Sequence, residues 1–124
     1  ETAIQPNEIL AEILIPTAPT ANATYEVRQK EALDWPLATA SVALKMSGNQ
    51  ITSARVVLGH VAPTPFEAIA ANQFLAGKTL TEQTADEAAK QAVMSATPLS
   101  QNSYKVQLAR VAVKRALLAT QKRA

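Results

Sequence analysis

Two runs decide the fold: Leu37-Ala38-Thr39-Ala40-Ser41-Val42-Ala43-Leu44-Lys45-Met46 and, after Ser47-Gly48-Asn49, Ile51-Thr52-Ser53-Ala54-Arg55-Val56-Val57-Leu58-Gly59-His60-Val61. In the first run Ala38, Ala40, Val42, Leu44 and Met46 recur at period two, with Thr39, Ser41, Ala43 and Lys45 on the other side. In the second, Ala54, Val56 and Leu58 share a face. Period-two runs on either side of a Gly-Asn turn signal predict an antiparallel hairpin with a loop of roughly three to four residues. Such a sheet has one apolar face, and that face needs a covering layer.

The cover lies toward the C-terminus. Thr64-Pro65-Phe66-Glu67 has the form of a helix start, with a Thr cap, a proline at the first helical position and a glutamate three residues after the cap. Phe66, Ile69, Ala70 and Phe74 follow at helical spacing, and Gly77 is a left-handed stop. Thr84-Ala85-Asp86-Glu87 is a second capping signal, leading Ala85, Ala88, Ala89, Ala92 and Val93 along one face until Pro98. A third helix is predicted from about 103 to 121, with Tyr104, Leu108, Val111 and Leu118 as its buried stripe.

Toward the N-terminus, Ile9, Ala11, Ile13 and Ile15 alternate as a short strand. Pro16 and Pro19 end it, and residues 16–22 read as a loop. Residues 1–24 are therefore expected to be a connector with one strand, and residues 25–124 one compact domain. The fold class is α+β, a two-layer sandwich with a three-stranded, mostly antiparallel sheet covered by three helices.

With 124 residues the chain suits one domain that can bury a core without staples. No cysteine is present, which excludes a disulfide framework, a thiolate metal site and a cysteine nucleophile within this chain. No apolar run approaches the roughly 20 residues that span a bilayer. Glu1-Thr2-Ala3-Ile4 has neither the basic region nor the apolar core of a signal peptide, and it lacks an initiator methionine, so the sequence reads as a piece of a longer protein. A cytoplasmic location is expected.

Charge is unevenly spread. Residues 1–87 carry five basic and ten acidic side chains, whereas residues 88–124 carry seven basic and none acidic. That split suits either a solvated helix face near the negative end of its dipole or a free-standing interaction module for an acidic partner. Nucleic acid is not expected, because the basic helix carries a single aromatic, Tyr104, on its apolar stripe.

Catalytic motifs are absent. Gly48, Gly59 and Gly77 do not cluster, so no phosphate-cradling loop exists here. His60 is the sole histidine; without ligand partners at useful spacing it reads as a part-buried histidine at a strand end. Glu26, Glu31 and Asp34 alternate with Arg28 and Lys30, which favours ion pairing over acid–base work. Trp35 beside Pro36 is either a stacking platform or a core or interface residue.

Four pieces resemble a known family when taken in order. They are Pro6-Asn7-Glu8-Ile9-Leu10 leading to Ile15-Pro16, Tyr25-Glu26-Val27-Arg28 leading to Asp34-Trp35-Pro36-Leu37-Ala38, the segment Ala54 to Pro65, and Pro98-Leu99-Ser100 followed by Tyr104 through Leu118. Together they look like the C-terminal domain of the FAD-binding medium subunit of molybdenum hydroxylases, the class of xanthine dehydrogenase and carbon monoxide dehydrogenase. The resemblance implies a module of a multi-subunit oxidoreductase, itself without catalytic or metal-ligating residues. Upstream FAD-binding domains would carry the loops that hold FAD. A large subunit would hold the molybdenum cofactor and a small one the iron–sulfur clusters. Tyr25, Glu26 and Arg28 are the residues that would approach the flavin. Many relatives carry a lysine where Glu26 stands, a small residue such as glycine in place of His60, and an arginine in place of Glu67. A carboxylate at position 26 would disfavour negative charge on the flavin where lysine favours it.

Overall fold

The structure, a computed structural model, describes residues 3–15, 17, 20–30 and 34–121. Its strands are β1 (Ala21–Val27), β2 (Ala38–Ser47), β3 (Gln50–Gly59) and β4 (Phe66–Glu67), and its helices are α1 (Ile69–Leu75), α2 (Glu82–Ala92) and α3 (Tyr104–Thr120). The strands form one antiparallel sheet in the order β1-β2-β3-β4. The helices cover one face: α3 lies across β1 and β2, α1 lies on β3, and α2 packs on both helices. The α+β sandwich with three helices holds, and its sheet has four strands rather than three.

The β2–β3 hairpin forms where its alternation predicts. Its connection is tighter than expected, only Gly48 and Asn49, with Gly48 at φ 56°. A bulge shifts the register between Lys45 and Met46. Thr52 is the extra residue, and its hydroxyl donates to the Lys45 carbonyl at 3.1 Å. A bulge reverses which parity faces the core. Within β3 this lets Ile51 be buried along with Val56 and Leu58, while Met46 near the end of β2, expected inside, is exposed.

The N-terminal expectations need correction. Ile9 to Ile15 forms no strand, and Ile9, Leu10, Ile13, Leu14 and Ile15 are all exposed. The sheet's first strand instead begins at Ala21, inside the expected connector, and pairs from Ala21↔Leu44 to Val27↔Ala38. Ala23 is buried and Tyr25 packs against the core. The prolines expected to end the earlier strand, Pro16 and Pro19, lie outside the described residues.

The helix expected from Thr64 also changes. Phe66 and Glu67 pair with Leu58 and Val57 as a strand, and Ala68 N–H donates to the Val56 carbonyl at 2.9 Å. Glu67 accepts from both Nε and one terminal nitrogen of Arg55, each at 3.2 Å. The Asn72 amide accepts from Val56 N–H at 2.8 Å and donates to Glu67 at 3.1 Å. These tertiary bonds outweigh the local capping pattern and delay the helix to Ile69. Ala71 and Leu75 face the core, whereas Ile69 and Phe66 are exposed. Gly77, at φ 78°, donates to the Ile51 carbonyl at 2.7 Å and ties the end of α1 to the start of β3.

Helix α2 begins a turn earlier than expected, because the Thr81 hydroxyl accepts from Thr84 N–H at 3.0 Å. Its buried face is Ala85, Ala88, Ala89 and Ala92, as the periodicity predicts. The α3 stripe is rotated from the prediction. Ala109, Ala112, Val113, Ala116, Leu117 and Thr120 are buried, Tyr104 is exposed, and Leu108 and Leu118 flank the core. Three of the buried six are alanines, which lets α3 lie close to the sheet and to α2, with Val113 and Leu117 filling the space between them.

An ionic seam runs along α2 and α3. Arg110 donates to both Asp86 oxygens at 3.1 Å, and Lys114 reaches Glu82 at 3.1 Å. Lys90 pairs with Glu87 at 3.0 Å and with Asp86 at 3.3 Å. The Arg110 bond holds the Asp86 carboxyl below the ordinary carboxylate range; partial burial opposes this, and Lys90 adds to it.

Two outcomes are expected. Ala88→Leu, which forces three more carbon atoms into a fully buried site, should lower stability by about 1–3 kcal/mol in urea denaturation. A depressed native carboxyl pKa gives stability that is fully present above the unfolded value near 3.9 and lost as pH falls through the lower native value. The urea midpoint should therefore fall below about pH 4, and Asp86→Asn should flatten that limb of the profile.

Candidate functional site

The site lies where the end of β1 meets α3. As the edge strand, β1 alternates its side chains, so Tyr25 and Val27 turn toward α3 while Thr24 and Glu26 stand on the helix-free face. Thr24 there shares a hydrogen bond with Ser41 at 3.0 Å. The Val27 carbonyl accepts from Leu37 N–H at 2.8 Å and fixes the exit of the strand. Beyond it, Lys30 N–H donates to Asp34 at 3.2 Å.

An open cleft runs along this edge, lined by Tyr25, Glu26, Arg28, Lys30, Val111 and Arg115 among others. Tyr25, Glu26 and Arg28 are thus brought together. Arg115 comes from the far end of the sequence. Its guanidinium lies 5.1 Å from the centre of the Tyr25 ring and donates to the Tyr25 hydroxyl. Arg28 donates to the Glu26 carboxylate, so the one acid of the cleft is neutralised in place. Arg28, Lys30 and Arg115 set against Glu26 leave the cleft net positive. It can hold an anionic or electron-rich group by charge and hydrogen bonding. The described residues lining it include no histidine or cysteine and no second carboxylate that would run acid–base or metal chemistry.

The remaining candidates lie elsewhere. His60 is exposed rather than part-buried, with φ 63°, a left-handed value that glycine adopts without strain. Its ring meets Trp35 edge-on at 6.2 Å, and its carbonyl accepts from Lys105 at 2.8 Å. Trp35 is exposed and so is no core residue. Glu31 lies outside the described residues. A second, more apolar cavity of about 260 Å³ opens between the end of β3 and the start of α3, lined by Leu58, Phe66, Val93, Pro98 and Val106. Sequence reasoning missed Arg115, since nothing in the primary structure links it to a tyrosine ninety positions earlier.

A flavin nucleotide needs a cradle for its diphosphate and walls around its ring. Gly48 and Gly77 lie at turns in open space, and the Gly59 position is filled by the Thr39 hydroxyl, so no glycine forms a diphosphate cradle. One face of Tyr25 is covered by Arg115. The cleft therefore fits the margin of such a group, offering positive charge and a phenol, and does not enclose it.

Comparison with known proteins gives a consistent result. Residues 23–120 match the family model described as the CO dehydrogenase flavoprotein C-terminal domain. The chain is 35% identical over 121 residues to the carbon monoxide dehydrogenase medium chain of Afipia carboxidovorans, covering 94% of this chain and 42% of that one. Among solved structures, reconstituted CO dehydrogenase from Oligotropha carboxidovorans superposes with a TM-score of 0.86 at 35% identity, over 100% of this chain and 45% of its own. Quinoline 2-oxidoreductase from Pseudomonas putida 86 gives a TM-score of 0.80 at 30% identity, over 87% of this chain and 39% of its own. The chain thus spans less than half the length of the relatives it matches.

The Tyr25–Arg115 contact should be measurable in a double-mutant cycle. Tyr25→Leu and Arg115→Met, alone and combined, should show a coupling of about 0.5–1 kcal/mol in urea denaturation, the size of an exposed cation–π pair.

Proposed function

The chain belongs to the CO dehydrogenase flavoprotein C-terminal domain family, and on that premise we propose that it is the C-terminal module of the FAD-binding subunit of a molybdenum-containing hydroxylase or dehydrogenase. Its role there is to complete the flavin's surroundings and to make subunit contacts, within a xanthine dehydrogenase-like oxidoreductase of several subunits. When bound, FAD supplies the redox chemistry, accepting electrons from iron–sulfur clusters and passing them onward. The molybdenum cofactor belongs to a large subunit and the iron–sulfur clusters to a small one. The module alone neither catalyses nor holds FAD tightly, and the complex is cytoplasmic. Residues before Ala21 connect the module to the upstream FAD-binding domains.

The observation that carries this reading is the convergence of Tyr25, Glu26 and Arg28 with Lys30 and Arg115 in one positively charged cleft. Tyr25, with its ring held from one side by Arg115, orients a phenol toward the cleft. Arg28 keeps the Glu26 carboxylate paired, which removes the repulsion an isolated carboxylate would exert on an electron-rich flavin margin. Lys30 and Arg115 supply the remaining positive charge.

The interaction-module alternative loses its main support. The basic residues of segment 88–121 have partners within the chain: Lys90, Arg110 and Lys114 on α2 acids, Lys105 on the His60 carbonyl and Arg115 on Tyr25. They are not a row of unpaired cations aimed at a polyanion.

The test replaces Tyr25, Glu26 and Arg28 with alanine in the complete subunit. Loss of the contacts of a charged hydrogen-bonding group should weaken FAD about tenfold or more. Unchanged affinity removes these residues from the flavin site. The isolated chain should show no tight FAD binding in equilibrium dialysis.

A further inference from the structure

Tyr25 is the one phenol of the cleft, and its hydroxyl has a single partner among the described residues, the Arg115 guanidinium. Arginine only donates, so the Tyr25 oxygen is the acceptor in that bond and its own proton is left over. Glu26, the one carboxylate of the cleft, does not take that proton, because it stands on the helix-free face of β1 and accepts from Arg28. Tyr25 is therefore a donor still without an acceptor, on the wall of an open cleft.

Arg115 differs from the other described arginines. Arg28 pairs with Glu26, Arg55 with Glu67 and Arg110 with Asp86, whereas Arg115 has no carboxylate partner among the described residues. Its charge lies 5.1 Å from the centre of the Tyr25 ring. A cation that is not neutralised polarises the group it bonds, and a phenol that accepts a charged hydrogen bond becomes a stronger donor through its own proton. Both partners are anchored: Tyr25 packs against the core, and buried Ala112, Val113, Ala116 and Leu117 fix the turn of α3 that carries Arg115. Arg115 itself is exposed, so water screens the pair in the open cleft. A group that closes over the cleft displaces that water and strengthens both the charge and the hydrogen bond.

We propose that Arg115 is a positioning residue for the flavin: it makes Tyr25 an outward hydrogen-bond donor and thereby raises the flavin's affinity for electrons. This rests on the medium-subunit reading above, with Tyr25 at the flavin margin. Hydrogen bonds and charge beside a flavin are a protein's means of tuning it. A donor bonds an electron-rich acceptor better than an electron-poor one, so it favours the reduced flavin over the oxidised. No bond is made or broken in this chain. Tyr25 keeps its proton, and the electrons come from the iron–sulfur clusters.

The readout is the midpoint potential of FAD in the complete subunit, measured by equilibrium titration against a redox dye. Arg115→Met and Tyr25→Phe should each make reduction about tenfold less favourable, about 30 mV lower for a two-electron couple. Because Arg115 acts through the phenol, the doubly substituted subunit should lie within about twofold of Tyr25→Phe alone. A further drop of full size there would show the charge acting without the phenol and would overturn the proposal. A contact that serves packing alone would lower stability and leave the potential in place. An unchanged potential in either single variant, with FAD still bound, therefore overturns the proposal and leaves the medium-subunit reading standing. If Arg115→Met does not fold, Arg115→Lys keeps the charge and loses the planar fork, so its potential should fall in the same direction. A potential equal to that of the unsubstituted subunit there would overturn the proposal. An unsubstituted complete subunit that binds no FAD would sink the medium-subunit reading itself, and the proposal with it.

Discussion

The structure depends on how closely α3 approaches its neighbours. Ala109, Ala112 and Ala116 of α3 are buried, as are Ala85, Ala88, Ala89 and Ala92 of α2. Alanine brings no rotamer freedom to lose and lets helix axes come near each other. That closeness lets a seventeen-residue helix cover β1 and β2 while α2 packs over α3 and α1. With few aromatics, the core gains its density from many small contacts in place of a few large ones. The larger buried side chains, Leu44, Ile51, Leu75 and Leu117, then fill what the alanines leave.

The same closeness settles the charge asymmetry. The acids of α2 face Arg110 and Lys114 of α3, so part of a division that looks lopsided along the sequence is balanced in space. Exposed pairs of this kind add little individually, and a network adds more. Its value lies in register: Arg110 gripping both oxygens of Asp86 fixes how far α3 slides along α2, and with it where Arg115 stands relative to Tyr25.

Much of this was legible in the sequence. The hairpin showed itself through alternation and Gly48-Asn49, and the alanine face of α2 through its spacing. The rest depended on partners distant in sequence. Ala21-Asn22-Ala23-Thr24 lacks strand composition and becomes β1 only because β2 pairs with it and α3 covers it. The Thr64-Pro65 signal was overruled by the bonds among Arg55, Glu67 and Asn72. On α3 bulk is a poor guide to burial, because close packing against α2 and the sheet also selects Ala109, Ala112 and Ala116. At the site, Tyr25, Glu26 and Arg28 came from family resemblance and not from chemistry visible in their own segment. Arg115 could not be found without the fold.

The Tyr25–Arg115 pair joins the first strand of the sheet to the last helix across ninety positions. A contact this distant in sequence exists only where α3 lies against β1, whereas the β2–β3 hairpin is closed by a two-residue turn. The charged cleft is therefore complete only in the finished fold. Its α3 wall, with Val111 and Arg115, is in place only when the final helix lies against β1.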